Sequence, residues 1–262
     1  MSNRATQAEL LEQRIAENLQ SQEIDLTTWI FQRLRINPPD QILELCCGTG
    51  SQTLPMLRKA SEGRVVAVDV SQAALEALNG KTEQGESCRL TTVQGNLDDL
   101  PGILGRSGVI RRSFDLTFCA YGLYYSRDPN RVLNEIVSWL KPEGRIAVVG
   151  PYGPNNEALF DLVERSGATL GDAVVFSSSR FMLETVLPWA SLHFESVRVS
   201  TMVNPVRWIS PERVLTYWEN TTFYDAQRRI AFEALLRQHF AEQGEFVNKK
   251  WVMMVEMQNA RD

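Results

Sequence analysis

The stretch from Ile42 to Gly50 restricts most strongly what this chain can fold into. It reads Ile-Leu-Glu-Leu-Cys-Cys-Gly-Thr-Gly, an apolar run that stops at small residues. Such a run is typical of an inner parallel strand that ends in a tight turn. Gly48 and Gly50 can adopt backbone angles that a Cβ forbids, and they let a ligand lie against bare main chain. Residues 51–60 can form a helix whose first N–H groups face the turn, so the stretch predicts a cofactor cradle.

A second apolar run, residues 64–70, predicts another buried strand and contains Asp69, which lies 19 residues after Gly50. This distance is close to the roughly 20 residues that place an acid beside a ribose. A carboxylate there can accept hydrogen bonds from both ribose hydroxyls. Asp69 could instead cap the next helix, but Ser71 is better placed to do so. We therefore expect Asp69 to bind a ribose.

Two more strands are predicted at residues 89–94 and 114–120, and each runs into a polar or aromatic loop. Asn96 and Leu97 follow the first strand, and the loop 121–129, which contains three tyrosines, follows the second. In a doubly wound sheet, ligands collect at the carboxyl ends of the strands, near the point where strand order reverses. The loop 121–129 is therefore expected to face a second ligand. Pro129 opens a helix, and a fifth strand is predicted at 146–149.

Residues 44–50 resemble the first motif of class I S-adenosylmethionine-dependent methyltransferases, in the form found in the branch that contains the quinone-biosynthesis methyltransferases. Later motifs match in the same order at Asp69, at Asn96 and at the turn Leu-Lys-Pro-Glu-Gly-Arg of residues 140–145. The resemblance covers residues 40–150. The chain departs from the commonest pattern at Cys46, where a glycine is usual. The resemblance implies S-adenosyl-L-methionine as cofactor and S-adenosyl-L-homocysteine as product.

The resemblance and the strand ends together predict which residues contact each ligand. Asn96 would meet the adenine amino group, and Leu97 would pack on the ring. The predicted cofactor-binding residues are Glu44, Cys46, Gly48, Thr49, Gly50, Asp69, Val70, Asn96, Leu97, Cys119 and Ala120. The predicted substrate-binding residues are Tyr121, Tyr124, Tyr152 and Trp208. No catalytic residue is identified, since a tyrosine with a pKa near 10 is a poor base at neutral pH.

The predicted fold class is α/β, a Rossmann-like, doubly wound, mostly parallel sheet of seven strands with an antiparallel strand near the C-terminus. Helices are expected at residues 5–19, 23–34, 156–165 and 179–187, and the last two strands at 194–202 and 246–257. A single methyltransferase domain would cover residues 1–262, with N-terminal helices in 1–36 and the cofactor-binding core in 40–150. Residues 203–245 would form a helical substrate cap between the last two strands.

Charge and cysteine content limit the partners that the chain can take. A formal net charge of −5 argues against a nucleic-acid partner or an anionic membrane surface. Four cysteines, two of them adjacent, make neither a disulfide framework nor a metal-binding spacing. The N-terminus does not read as a signal peptide, and no run approaches the roughly 20 apolar residues of a membrane span. We expect a cytoplasmic protein with a small-molecule substrate and no metal, and the oligomeric state stays open.

The expected reaction is methyl transfer from S-adenosylmethionine to a small molecule by in-line displacement, with oxygen as the favoured acceptor atom over nitrogen and carbon. Three alternatives stay open. A nucleotide-dependent oxidoreductase would need the pattern Gly-x-Gly-x-x-Gly, but Thr53 occupies the third glycine position. A macromolecule methyltransferase would need a basic face or a target-recognition domain. A protein that binds the cofactor without turnover is the third alternative.

Overall fold

The structure, a computed structural model, describes residues 8–261. Seven strands alternate with helices along the chain, as an open α/β sheet requires. The strands are β1 (Gln41–Leu45), β2 (Arg64–Asp69), β3 (Leu90–Gln94), β4 (Phe114–Ala120), β5 (Leu140–Pro151), β6 (Phe194–Trp208) and β7 (Phe246–Ala260). The helices are α1 (Ala8–Ser21), α2 (Leu26–Phe31), α3 (Thr53–Lys59), α4 (Gln72–Lys81), α5 (Leu100–Arg106), α6 (Pro129–Trp139), α7 (Glu157–Arg165), α8 (Asp172–Val175), α9 (Leu187–His193), α10 (Pro211–Glu219) and α11 (Arg229–Gln243).

The seven strands form one sheet in the order β3-β2-β1-β4-β5-β7-β6. The pairings β1–β2, β2–β3, β1–β4 and β4–β5 are parallel, and the C-terminal strands are antiparallel. This confirms the predicted fold class. Strand order reverses between β1 and β4, so the crevice outside their carboxyl ends is where a ligand is expected. The turn after β1 and the loop after β4 both begin there.

Local sequence explains where several helices start and stop. The Ser71 hydroxyl accepts a hydrogen bond from the Ala74 N–H at 3.3 Å and caps α4, as predicted. The Asp128 carboxylate caps α6 through the Arg131 N–H at 3.0 Å, and Pro129 takes the first helical position. Gly244 ends α11 in a left-handed conformation with a φ of 77°.

The structure differs from the sequence-based expectation at several element boundaries. Strand β5 is much longer than residues 146–149, because Leu140 already pairs with Phe114 and an irregularity between Phe114 and Leu116 absorbs the intervening residues. Helical structure extends well beyond residues 179–187, since two π-helical segments, Phe176–Arg180 and Met182–Val186, lie between α8 and α9. Residues 5–7 of the predicted first helix lie outside the described residues.

By their contacts, the residues group into two compact units. The first unit consists of the described residues of Thr27–Gly150, Leu183–Ser200 and Met253–Asp262. Its core includes the buried strands β1, β2 and β4. The second unit consists of the described residues of Met1–Leu26, Pro151–Met182 and Thr201–Val252. Its core holds Leu159, Trp208, Trp218, Phe232 and Phe246. The helices α10 and α11, which form most of the predicted cap, belong to this unit.

Candidate functional site

The turn after β1 is built from residues with unusual backbone angles. Gly48 and Gly50 have φ values of 53° and 88°, in the region that favours glycine. A Cβ added to Gly50 would also come within 2.3 Å of the Leu78 side chain on α4. Cys46 has a φ of 57° although it carries a side chain. At this position the family that the chain resembles usually has glycine. Left-handed angles in residues other than glycine cost about 1–3 kcal/mol and occur often at functional sites.

The carboxylate of Asp69, at the end of β2, lies against this turn. It accepts hydrogen bonds from the Gly48 N–H at 2.8 Å and from the Ser71 N–H at 2.9 Å, through different oxygens. Ser71, and not Asp69, caps α4. Each carboxylate oxygen has a second lone-pair direction, so Asp69 can accept further hydrogen bonds from a ligand. Asp69 is therefore held in place beside the bare main chain of the turn.

Glu44 lies in β1 and is almost fully buried, with 2% of its surface exposed. The pKa of its carboxyl is raised to about 8, and burial is the largest cause. The Asp69 charge raises the pKa further. The Thr53 hydroxyl, which donates a hydrogen bond to Oε2 at 2.5 Å, acts in the opposite direction. The side chain is consequently mostly protonated at neutral pH. An approaching positive charge would favour its ionised form, so Glu44 can respond to a cationic ligand.

Cys46 and Cys119 meet at the carboxyl ends of β1 and β4, since Leu45 and Cys119 are register partners. A hydrogen bond with Cys119 and burial raise the pKa of the Cys46 thiol well above its usual value. Burial and the neighbouring acids Glu44 and Asp69 raise the pKa of Cys47 as well. A Cβ on Gly122 would come within 2.2 Å of the Cys46 Cβ, which leaves room only for glycine. Cys46 and Cys47 are thus protonated thiols that line the turn after β1.

The remaining predicted cofactor residues lie at the same edge of the sheet. Asn96 follows β3 and is exposed, and its side-chain oxygen accepts the Asp98 N–H at 2.9 Å. Leu97 is 7% exposed, whereas Val70 is 39% exposed. The carbonyl of the buried Thr49 accepts a hydrogen bond from Lys81 at 3.2 Å. The carboxyl ends of β1, β2, β3 and β4 thus bring all eleven predicted residues into the first unit.

Tyr121 and Tyr124 lie in the loop that follows β4. Tyr121 has a φ of 56°, a left-handed conformation that turns the chain directly after the strand. Tyr124 belongs to the short 3₁₀ turn Leu123–Tyr125, and its ring centroid lies 4.7 Å from that of Tyr125. All three tyrosines are partly buried. The contact of Tyr121 and Tyr124 with a substrate remains a prediction.

Tyr152 and Trp208 belong to the second unit. Tyr152 is partly exposed and makes an edge-to-face contact with Trp251 at a centroid distance of 5.7 Å. Trp208 is fully buried, and its ring packs 5.2 Å from Tyr217 and 6.1 Å from Phe246. It lies on the inward face of β6, where alternate residues are buried from Met202 onwards. The contacts of Trp208 are those of a core residue, which the sequence alone did not reveal.

A polar cluster in the second unit was not predicted. The Lys250 ammonium on β7 donates to the Asn156 side-chain oxygen at 2.5 Å and to the Tyr217 hydroxyl at 2.6 Å. Asn248 also donates to Asn156, at 2.9 Å. Burial raises the pKa of Tyr217, but the charge and hydrogen bond of Lys250 outweigh it and the net shift is downward. The sequence carried one signal for this cluster: side chains alternate between the two faces of a strand, so Asn248 and Lys250, two residues apart, lie on the same face of β7.

Comparison with known proteins fits this geometry. Residues 42–144 match the family model described as a methyltransferase domain. This segment of the chain is similar to that family. The match spans the turn after β1, Asp69, Asn96 and the loop after β4, and it confirms the resemblance to class I S-adenosylmethionine-dependent methyltransferases for these residues.

Two curated relatives align with about half of the chain. A demethylmenaquinone methyltransferase from Lactobacillus johnsonii is 30% identical over 128 residues, which cover 48% of this chain and 50% of the relative. A 2-phytyl-1,4-naphtoquinone methyltransferase from Trichormus variabilis is 33% identical over 122 residues, 46% of this chain and 50% of the relative. The chain therefore spans about half the length of these relatives.

Among solved structures, the YcgJ protein from Bacillus subtilis superimposes with a TM-score of 0.63. The alignment covers 90% of this chain and 98% of YcgJ at 16% sequence identity, so the likeness concerns the fold alone. Among residues 8–261, no group of three or more histidine, cysteine, aspartate or glutamate side chains could hold a metal ion. No helix in this range is both long enough and apolar enough to cross a bilayer.

Proposed function

We propose that this chain binds S-adenosyl-L-methionine and transfers the methyl group to a small-molecule acceptor. The observation that carries the proposal is the cradle itself, in which the Asp69 carboxylate accepts the Gly48 N–H at 2.8 Å. This hydrogen bond holds the carboxylate proposed to bind the ribose next to a turn whose main chain is open to a ligand. The family match over residues 42–144 supports the same cofactor.

Each cradle residue would contact a different part of the cofactor. Asp69 would accept hydrogen bonds from the ribose hydroxyls, and Asn96 would contact the adenine. Glu44 would ionise in response to the positive charge of the amino acid part. When bound, the cofactor supplies an electrophilic methyl group on a positively charged sulfur. The residues of this chain need only hold the acceptor in line with that group, so a conspicuous catalytic dyad is not required.

For the acceptor, we propose a quinone-type small molecule, supported by the printed names of the two curated relatives. Tyr121 and Tyr124 are the residues of the first unit proposed to face it. Substrate contact by Tyr152, in the second unit, stays a prediction. Trp208 is not included among the proposed acceptor contacts because its ring is fully buried. The preference for oxygen over carbon or nitrogen as the acceptor atom also stays a prediction.

Calorimetry with S-adenosylmethionine, S-adenosylhomocysteine and NAD, each added to the same preparation, tests the cofactor. We expect binding of the first two and none of NAD. NAD binding alone would favour an oxidoreductase. To test turnover, the protein is incubated with labelled S-adenosylmethionine and a reduced naphthoquinone, and organic products are analysed for the label and its position. Cofactor binding without methylation of this acceptor or of any metabolite-extract component would favour a non-catalytic binding protein.

Gly48→Val tests the cradle. A β-branched side chain at a φ of 53° strains the turn and fills the surface that the ligand needs. We expect affinity for S-adenosylhomocysteine to fall at least about a hundredfold, equivalent to ~2.7 kcal/mol. Gly108→Val is the matched control, because Gly108 also has a positive φ, 70°, and open space around its Cβ position. Equal losses in both variants, or wild-type affinity in Gly48→Val, would contradict the cradle.

A further inference from the structure

Asp98 links two loops that follow different strands of the first unit. It lies in the 3₁₀ turn Leu97–Asp99 after β3, directly beside the residues proposed to meet the adenine. Its carboxylate reaches the loop after β4, where Oδ1 accepts the Ser126 hydroxyl at 2.6 Å and the Arg127 N–H at 3.1 Å. The Asp98 backbone carbonyl accepts a third hydrogen bond, from the Arg131 guanidinium at 2.5 Å. Asp98 therefore binds the second loop through its side chain and helix α6 through its main chain.

Hydrogen bonding, and not the nearby ion pair, gives this contact its strength. The Arg127 guanidinium lies 3.9 Å from the Asp98 carboxylate, but its side chain is 92% exposed. Such exposed pairs contribute little to stability. The Asp98 side chain is only 18% exposed, and hydrogen bonds to an ionised carboxylate are stronger than neutral ones. Ser126 and the Arg127 main chain are therefore the important partners.

The hydrogen bonds continue in both directions from Asp98. On one side, the Asn96 side chain accepts the Asp98 N–H at 2.9 Å. On the other, the Ser126 hydroxyl accepts the Asp128 N–H at 3.0 Å, and Asp128 in turn caps α6. A continuous chain of hydrogen bonds thus runs from the predicted adenine contact to the end of the tyrosine loop.

We propose that Asp98 is a positioning residue that couples cofactor binding to the order of the loop 121–128. The proposal rests on the proposed function, since it takes Asn96 and Leu97 as cofactor contacts and Tyr121 and Tyr124 as acceptor contacts. Ordering of the turn after β3 favours ordering of the loop 121–128 through Asp98, and the reverse also holds because coupling between sites is reciprocal. The cofactor then prepares the acceptor loop before the acceptor binds.

Hydrogen exchange and calorimetry with S-adenosylhomocysteine test the coupling without any acceptor. In the wild type, we expect the ligand to slow amide exchange in residues 121–128. In Asp98→Asn and in Ser126→Ala, this ligand-dependent protection should disappear, and affinity should fall about fivefold, the lower end for coupled sites. A merely structural role would raise exchange equally with and without ligand. Ser126→Ala is the milder change and serves if Asp98→Asn fails to fold.

Two neighbouring variants serve as controls. Asp99→Asn removes an adjacent carboxylate whose side chain is 60% exposed and whose ion pair is with Arg106. Arg127→Ala removes the exposed guanidinium but keeps the main-chain N–H. Both should retain wild-type affinity and loop protection. If all four variants behave alike, or if the loop is not protected in the wild type, the coupling is overturned while the cofactor site stands. If the wild type does not bind S-adenosylhomocysteine, the proposed function fails and the coupling with it.

Discussion

Glu44 in the first unit and Tyr217 in the second are both buried acids, yet their pKa values shift in opposite directions. Burial is the largest influence on each, and in each case it disfavours the charged form. For Glu44, the Asp69 charge adds to this effect and the Thr53 hydrogen bond is too weak to reverse it. For Tyr217, the Lys250 ammonium at 2.6 Å lowers the pKa below its usual value.

Burial raises the pKa of both acids, and the sign of the neighbouring charge distinguishes them: only Tyr217 has a cation beside it whose effect outweighs burial. In the second unit the neighbouring charge is positive, because the Lys250 ammonium donates a hydrogen bond to the Tyr217 hydroxyl. In the first unit, burial and the negative charge of Asp69 both favour the protonated form of Glu44, and only an approaching positive group would favour its ionised form. This suits a cradle for a cofactor that carries a sulfonium and an ammonium group.

Glu44→Gln should change the pH dependence of stability most. Because the pKa of Glu44 is about 8 in the folded protein and about 4.5 when unfolded, its stabilising protonation is complete below pH 4.5 and lost as the pH rises through 8. Glutamine stays neutral throughout. Relative to Glu44→Gln, we expect the wild type to lose roughly 3 kcal/mol of unfolding free energy between pH 4.5 and pH 7. Urea denaturation across this range measures the difference, and a constant difference would show that folding does not raise the pKa of Glu44.

Asp69→Ala should weaken binding of S-adenosylmethionine and S-adenosylhomocysteine alike, since both carry the same ribose. Loss of a charge-assisted hydrogen bond costs ~1.5–3 kcal/mol, or about ten- to a hundredfold in affinity. The same substitution removes a negative charge that raises the pKa of Glu44, so that pKa should fall. Calorimetry and the pH profile of unfolding measure both effects. Unchanged affinity with reduced stability would show that Asp69 only supports the turn.

Lys250→Met should raise the pKa of Tyr217. The substitution keeps the length of the side chain and the burial of the phenol but removes the positive charge that favours the phenolate. An ultraviolet titration of the folded protein measures the change, with Tyr217→Phe to assign the signal. Lys249→Met, at the exposed neighbouring position, is the control and should leave the titration unchanged. If both variants titrate like the wild type, Lys250 is not the cause of the shift.

Tyr124→Phe should have the smallest effect, because it removes one hydroxyl and almost no volume. We expect unchanged affinity for S-adenosylhomocysteine and reduced turnover once an acceptor is known, since the hydroxyl would orient that acceptor. Initial rate and cofactor affinity are measured on one preparation. Unchanged turnover would show that Tyr124 only lines a wall. Lost cofactor affinity in a folded variant would place Tyr124 in the cradle and move the boundary between the two sites.

The sequence alone determined the first four strands and the cradle, because both are encoded locally. Buried parallel strands read as continuous apolar runs, and a turn with a φ near 50–90° requires glycine, so β1 and the positions of Gly48 and Gly50 could be read directly. The spacing from Gly50 to Asp69 follows from one strand, one helix and a second strand. It placed the Asp69 carboxylate correctly at the turn.

Contacts between residues that lie far apart in the chain could be identified only from the three-dimensional structure. The partnership of Lys250 with Asn156 and Tyr217 spans 94 and 33 residues, and no local pattern specifies it. Asp98 reaches Ser126 across 28 residues in the same way. The burial of Trp208 depends on which face of β6 packs inward. Hydrogen bonds and packing depend on distance in space, whereas periodicity and turn chemistry depend on distance along the chain, and this is why the sequence determined the cradle but not these contacts.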